Sequence, residues 1–152
     1  MMNPDPRAPN GPAPFAYFVC PSQGAGSTQL DRSKGVYLRG RAEARFLQPW
    51  LDPLFDQLGI GISPSSDAQI VGAHRLAALQ AVLNQARRAV QGKEEAWTVQ
   101  MGYALDHESL EIGSPVFETA SKGTLLAFLN AVIDLVRVCH ASGGGIHIGG
   151  GE

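Results

Sequence analysis

Ala96-Trp97-Thr98-Val99-Gln100-Met101-Gly102-Tyr103-Ala104, then Leu110–Ser121 (LEIGSPVFETAS), then Lys122–His140 (KGTLLAFLNAVIDLVRVCH) decide the fold. The first segment has period two. Trp97, Val99, Met101 and Tyr103 point one way, and Thr98, Gln100 and Gly102 the other, as in a half-buried strand. Asp106–Ser109 reads as a turn. Leu110, Ile112, Val116 and Phe117 suggest a return strand. Gly113-Ser114-Pro115 interrupts it, as a bulge or a break into two pieces. Ser121 is a candidate N-cap for a helix running to about His140. Leu125, Leu126, Phe128, Leu129, Val132, Ile133, Leu135, Val136, Val138 and Cys139 surround most of that helix, leaving Asn130, Asp134 and Arg137 as a polar strip. Such a helix belongs at the centre of a domain, covered on several sides.

The flanking sequence fits around this strand–strand–helix unit. Ile70 to Val90 carries a clean stripe of Leu76, Leu79, Leu83, Ala86 and Val90, widened by Val82, with Gly92 as its stop. Ser63–Asp67 (SPSSD) reads as a turn that caps it. Arg41 to Leu58 has helical spacing at Ala42, Phe46, Trp50, Leu51, Leu54, Phe55 and Leu58. An interior proline costs ~3 kcal/mol, so Pro49 and Pro53 predict a kinked helix or two short ones. Phe15–Cys20, Val36–Leu38 and Ile146–Ile148 read as short strands. The expected architecture is α+β: a two-layer domain whose mainly antiparallel sheet, a meander of about five or six short strands, is packed by about three helices. Residues 1–13 read as a flexible, proline-rich arm and 14–152 as a single domain.

Composition narrows the function classes. The chain has 152 residues and a formal net charge of −2, with 44% hydrophobic and 17% charged residues. That length can bury a sizeable core. General nucleic-acid binding needs a strong basic excess, which is missing. No uninterrupted apolar run reaches the ~18 residues of a membrane span. The start lacks the basic and apolar regions of a signal peptide, so cytoplasmic residence is the expectation. Two cysteines, Cys20 and Cys139, are not a disulfide scaffold; both read as buried free thiols.

Charge is unevenly distributed. Residues 1–50 balance to +3, 51–92 to zero and 93–152 to −5. Glu94, Glu95, Asp106, Glu108, Glu111 and Glu118 sit on or beside the expected hairpin. An acidic surface there would attract a basic partner and speed encounter. The same charges also suit an ordinary solvated face.

Catalytic motifs are weak. Gln23-Gly24-Ala25-Gly26-Ser27-Thr28 looks like a phosphate cradle but lacks the Lys-Ser/Thr pair of a P-loop. The dinucleotide pattern fails at Gln29. Asp106-His107-Glu108 could bring at most two ligands together on a strand, so no metal site is expected. His74, His140 and His147 each read as structural. His147 draws most interest because it alternates with Ile146 and Ile148 in a glycine-rich terminal strand. No serine occupies a nucleophile elbow, and no carboxylate pair is placed for acid–base work. The expectation is a non-enzyme without cofactor.

Three segments carry a resemblance: Lys34–Arg41 (KGVYLRGR) leading into an aromatic helix; the Trp97 strand followed by Ser114–Lys122 (SPVFETASK); and the apolar helix closing on Gly145–Glu152 (GIHIGGGE). In size and layout, over roughly residues 34–152, the chain resembles immunity proteins of bacterial polymorphic toxin systems, such as those paired with Rhs or type VI secreted effectors. The resemblance implies tight binding to a cognate, basic toxin domain without turnover; charge and hydropathy point to no direct nucleic-acid or membrane partner. On that reading the hairpin acids steer, and an exposed aromatic such as Trp97, Tyr103 or Tyr37 anchors. The alternatives are a small ligand-binding or enzymatic domain using loop 24–28 and His147, and a homodimer packed through the third helix.

Overall fold

A computed structural model describes residues 16–19, 35–58, 67–71, 73–105, 112–141 and 145–149. The fold is α+β, with the order β1 (Ala16–Val19), β2 (Val36–Leu38), α1 (Arg41–Leu58), β3 (Asp67–Val71), α2 (Ala73–Gln91), β4 (Ala96–Leu105), β5 (Ile112–Ser121), α3 (Lys122–Ala141) and β6 (Gly145–Gly149).

The strands do not form one meander. β2, β1, β6 and β3 make one antiparallel sheet in that spatial order, while β4 and β5 pair only with each other. β6 lies between β1, with Phe18 opposite Ile148, and β3, with Ile70 opposite Ile146. The closing strand thus sits inside the four-stranded sheet, and the β4–β5 hairpin stands apart as a ribbon of its own. β3 is a second correction. Ile70 and Val71 belong to this strand, and so does Asp67, expected in the turn. α2 starts only at Ala73. Helical periodicity cannot register a strand partner that lies some eighty residues downstream, and tertiary pairing overrides it. Residues 63–66 lie outside the described residues.

The helices follow their apolar spacing. Leu76, Leu79, Leu83, Ala86 and Val90 of α2 are all buried. They meet α3, whose Leu125, Phe128, Leu129, Ala131, Val132, Ile133, Val136 and Cys139 are buried too. Val36 and Leu38 of β2, Leu47, Leu54 and Phe55 of α1 and Ile146 of β6 complete the core. α3 is long and apolar enough to cross a membrane. Much of its apolar surface packs against α2, β2, β5 and β6, while Val138 stays exposed.

α1 stays one helix through both prolines. Pro49 and Pro53 are exposed. The carbonyls of Arg45 and Pro49, deprived of their N–H donors, therefore face the side where water can serve them.

Cys139 is not a free thiol: it is disulfide-bonded. Cys20, the other cysteine of the chain, lies outside the described residues.

Candidate functional site

The β4–β5 ribbon is anchored at one end. β5 runs into α3 without a loop, and the Ser121 hydroxyl accepts from the Thr124 N–H at 3.3 Å as the helix cap. Gly40 precedes α1, with its carbonyl accepting from the Ala44 N–H. The Glu43 side chain in the first turn is only 7% exposed. Its Oε1 accepts from the Ser121 N–H at 2.9 Å, tying the start of α1 to the start of α3. Lys122 Nζ donates to the carbonyls of Gln91 and Lys93 at 3.1 and 3.0 Å, closing the C-terminal end of α2 against α3. Trp97 packs edge-on against Phe46 at 5.0 Å. Lys93 Nζ lies 5.6 Å from both ring centroids. The Trp97 indole N–H is buried without an acceptor.

Beyond this base the ribbon is held by its own ladder, and its register sets what it displays. Trp97 faces Ala120, Val99 faces Glu118 and Gln100 faces Phe117; Gly102 then faces Val116 and Tyr103 faces Pro115. Met101 is therefore an extra residue, a β-bulge, followed by Gly102 at φ 135°. Directly opposed residues share a face, and alternate residues of one strand share a face. Ala120, Glu118 and Val116 thus lie on the side of Trp97, where Ala120 is buried. Thr119, Phe117 and Pro115 lie on the other side, and Tyr103, opposite Pro115, joins them.

This corrects the expected alternation. Uninterrupted period two puts Trp97 and Tyr103 on one face; the bulge puts them on opposite faces. The outward face carries Thr98, Gln100, Tyr103, Pro115, Phe117 and Thr119, all exposed. Tyr103 is 61% and Phe117 55% exposed. Phe117 was not among the residues singled out from sequence. It lies in the expected return strand, and the register places it on the outward face.

The other expected site residues are dispersed. Tyr37 is 5% exposed and belongs to the interior, because β2 is covered on both faces. The Arg39 guanidinium lies 5.1 Å from its ring centroid. Trp97 is half-buried in the aromatic cluster at the ribbon's base. Glu94 and Glu95 are exposed in the short connection from α2 to β4. Glu118 is half-buried, with a carboxylate oxygen 3.6 Å from Arg41 Nη2. Asp106, Glu108 and Glu111 lie outside the described residues, as do loop 24–28 and the His147 side chain. His74 and His140 are exposed.

Between α1 and α2 there is an open cleft of about 300 Å³ lined by Pro49, Trp50, Pro53, Leu54, Gln57, Val82 and Gln85. Its walls are apolar and amide groups, which can hold an apolar group but offer no titratable side chain for acid–base chemistry. Among the described residues, no group of three His, Cys, Asp or Glu side chains is placed to hold a metal ion. Compared with known family models, curated proteins and solved structures, the chain matches none.

Proposed function

We propose that the protein is an inhibitor that neutralises a cognate toxin domain by direct, non-catalytic binding, in the manner of immunity proteins of polymorphic toxin systems. The observation that carries this reading is the β4–β5 ribbon. Its distal part leaves Tyr103, Ile112, Val116 and Phe117 exposed. Residues 93–121 contain one Lys and six acidic residues, a balance of −5. Monomeric proteins seldom leave large apolar side chains grouped in solvent without a partner to cover them. A strong negative field around such a group favours a basic partner and accelerates encounter.

The compartment is part of the reading. Sequence alone pointed to the cytoplasm. The bond at Cys139 favours an oxidising compartment, since cytosolic thiols are kept reduced. Trapping free thiols in cells before lysis, then measuring the modification of Cys139, distinguishes the two.

The deciding experiment is co-expression. The reading expects a large secreted protein to be encoded beside this chain's gene, and the C-terminal domain of such a neighbour is the toxin candidate. Its expression alone should arrest growth, and this chain should restore it and co-purify with the domain in equal amounts. Persistent arrest, with no complex formed, refutes the reading.

A further inference from the structure

We infer that the outward face of the β4–β5 ribbon, centred on Tyr103, Pro115 and Phe117, is the surface that seats the partner, and that it fits a basic protein surface with an apolar depression. The inference rests on the inhibitor reading and specifies the contact within it.

The register is the first ground. Tyr103 and Pro115 are directly opposed, and Phe117 is two residues from Pro115 on the same side of β5. The three form one patch, with Thr98, Gln100 and Thr119 continuing the face toward the ribbon's base. The opposite face is already engaged there: Ala120 is buried and Glu118 lies against Arg41. The ribbon thus uses one face to attach to its own helices and leaves the other unpartnered. Aromatic side chains on a strand pair bring large contact area at small entropic cost, as binding anchors do.

Charge selects the occupant. The segment holding this face balances to −5. Three of its acids, Asp106, Glu108 and Glu111, fall in the six residues connecting β4 to β5. A second copy would set like charge against like, and an anionic lipid surface would be repelled. A Lys/Arg-rimmed protein surface is complementary. Glu118 contributes less to that field than its sequence position implies, since Arg41 partly neutralises it.

The test uses the candidate domain of the co-expression experiment, in a variant that no longer arrests growth, immobilised against the full chain for biolayer interferometry. Tyr103→Ser and Phe117→Ser should each raise Kd at least about tenfold, and together about a hundredfold or more. Val138→Ser, which removes an exposed apolar side chain on α3, should leave Kd unchanged. Both ribbon positions are more than half exposed, so thermal melts of the variants should match the parent. Wild-type binding that survives the double substitution overturns this inference and leaves the inhibitor reading standing. A wild-type chain that neither binds nor neutralises the domain overturns both. A dimer in sedimentation velocity that dissociates on Phe117→Ser shows that the face seats a second copy, and overturns the basic partner.

Discussion

Gly40 and Glu43 should be energetically coupled strongly enough that removing one side chain erases most of the cost of changing the other residue. Gly40 carries no side chain, and the Glu43 carboxylate lies over its Cα. A Cβ at position 40 would overlap Glu43 Oε2 and lie 2.7 Å from its Cδ. The carboxylate cannot swing aside freely, because Oε1 holds the Ser121 N–H at 2.9 Å in a half-buried setting. A hydrogen bond to a charged group contributes about 1.5–3 kcal/mol net, and much of that is the cost of leaving its partner buried and unpaired. Glu43→Ala should therefore destabilise by about 2 kcal/mol, lowering Tm by about 4–8 °C in a domain of this size.

Gly40→Ala alone forces the carboxylate off Ser121 and loses the same bond. A gain of about 0.4–1 kcal/mol from a less flexible unfolded chain is offset by the poorer fit of alanine at the N-cap, so the net loss is about 2 kcal/mol. In the Glu43→Ala background the obstruction is gone, and the gain and the cost of placing alanine at the N-cap of α1 roughly cancel. Gly40→Ala should then be neutral to within about 0.5 kcal/mol. Urea unfolding followed by tryptophan fluorescence, on all four chains of the cycle, gives the coupling directly. Additivity within about 0.5 kcal/mol would mean that Glu43 does not bridge the two helix starts.

The disulfide at Cys139 should contribute about 2–4 kcal/mol, so reductant should lower Tm clearly in the parent and not in Cys139→Ala. Gly102→Ala should cost about 1–2 kcal/mol through backbone strain alone, because φ is 135° there and a Cβ would meet nothing within 4 Å. Thermal melts should show Gly102→Ala clearly less stable than Gly92→Ala, whose φ carries no such restriction. Arg41→Ala should cost less than about 1 kcal/mol, since its pair with Glu118 is solvent-exposed, and the difference from the parent should shrink further in 1 M salt.

The parts of the fold that sequence made legible are those whose pattern is local. The stripe from Leu76 to Val90 is buried as its spacing demands, and Ser121 caps α3 as its hydroxyl allows. The near-continuous apolar surface of α3 matches a helix packed by another helix and three strands. What was hidden is non-local. β3 exists because β6 pairs with it, and nothing within Asp67–Val71 distinguishes those residues from a helix entry. α1 survives two prolines because both fall on its exposed side, a fact set by which face the core claims. Cys139 reads as an ordinary buried thiol because its bond depends on a residue far away in sequence.

The candidate site shows the same division more sharply. The acidic weight of residues 93–121 could be counted without any structure, and so could the presence of aromatic side chains. Their disposition could not, because a single extra residue decides it. A β-strand has a period of two, so one bulged position exchanges the faces of everything beyond it. Met101 is that position, and Gly102 permits it by adopting a backbone angle that other residues resist. Trp97 stays against Phe46 while Tyr103 turns outward to stand with Phe117. Without the bulge, Tyr103 would lie on the side from which the helices approach, and Phe117 would be the lone aromatic in solvent. The bulge therefore converts an arm with one half-hidden aromatic row into an arm with two sides, one packed against the helices at its base and one exposed. A glycine beside a methionine in mid-strand is a weak signal of this, yet that residue pair governs which aromatics of the ribbon face solvent.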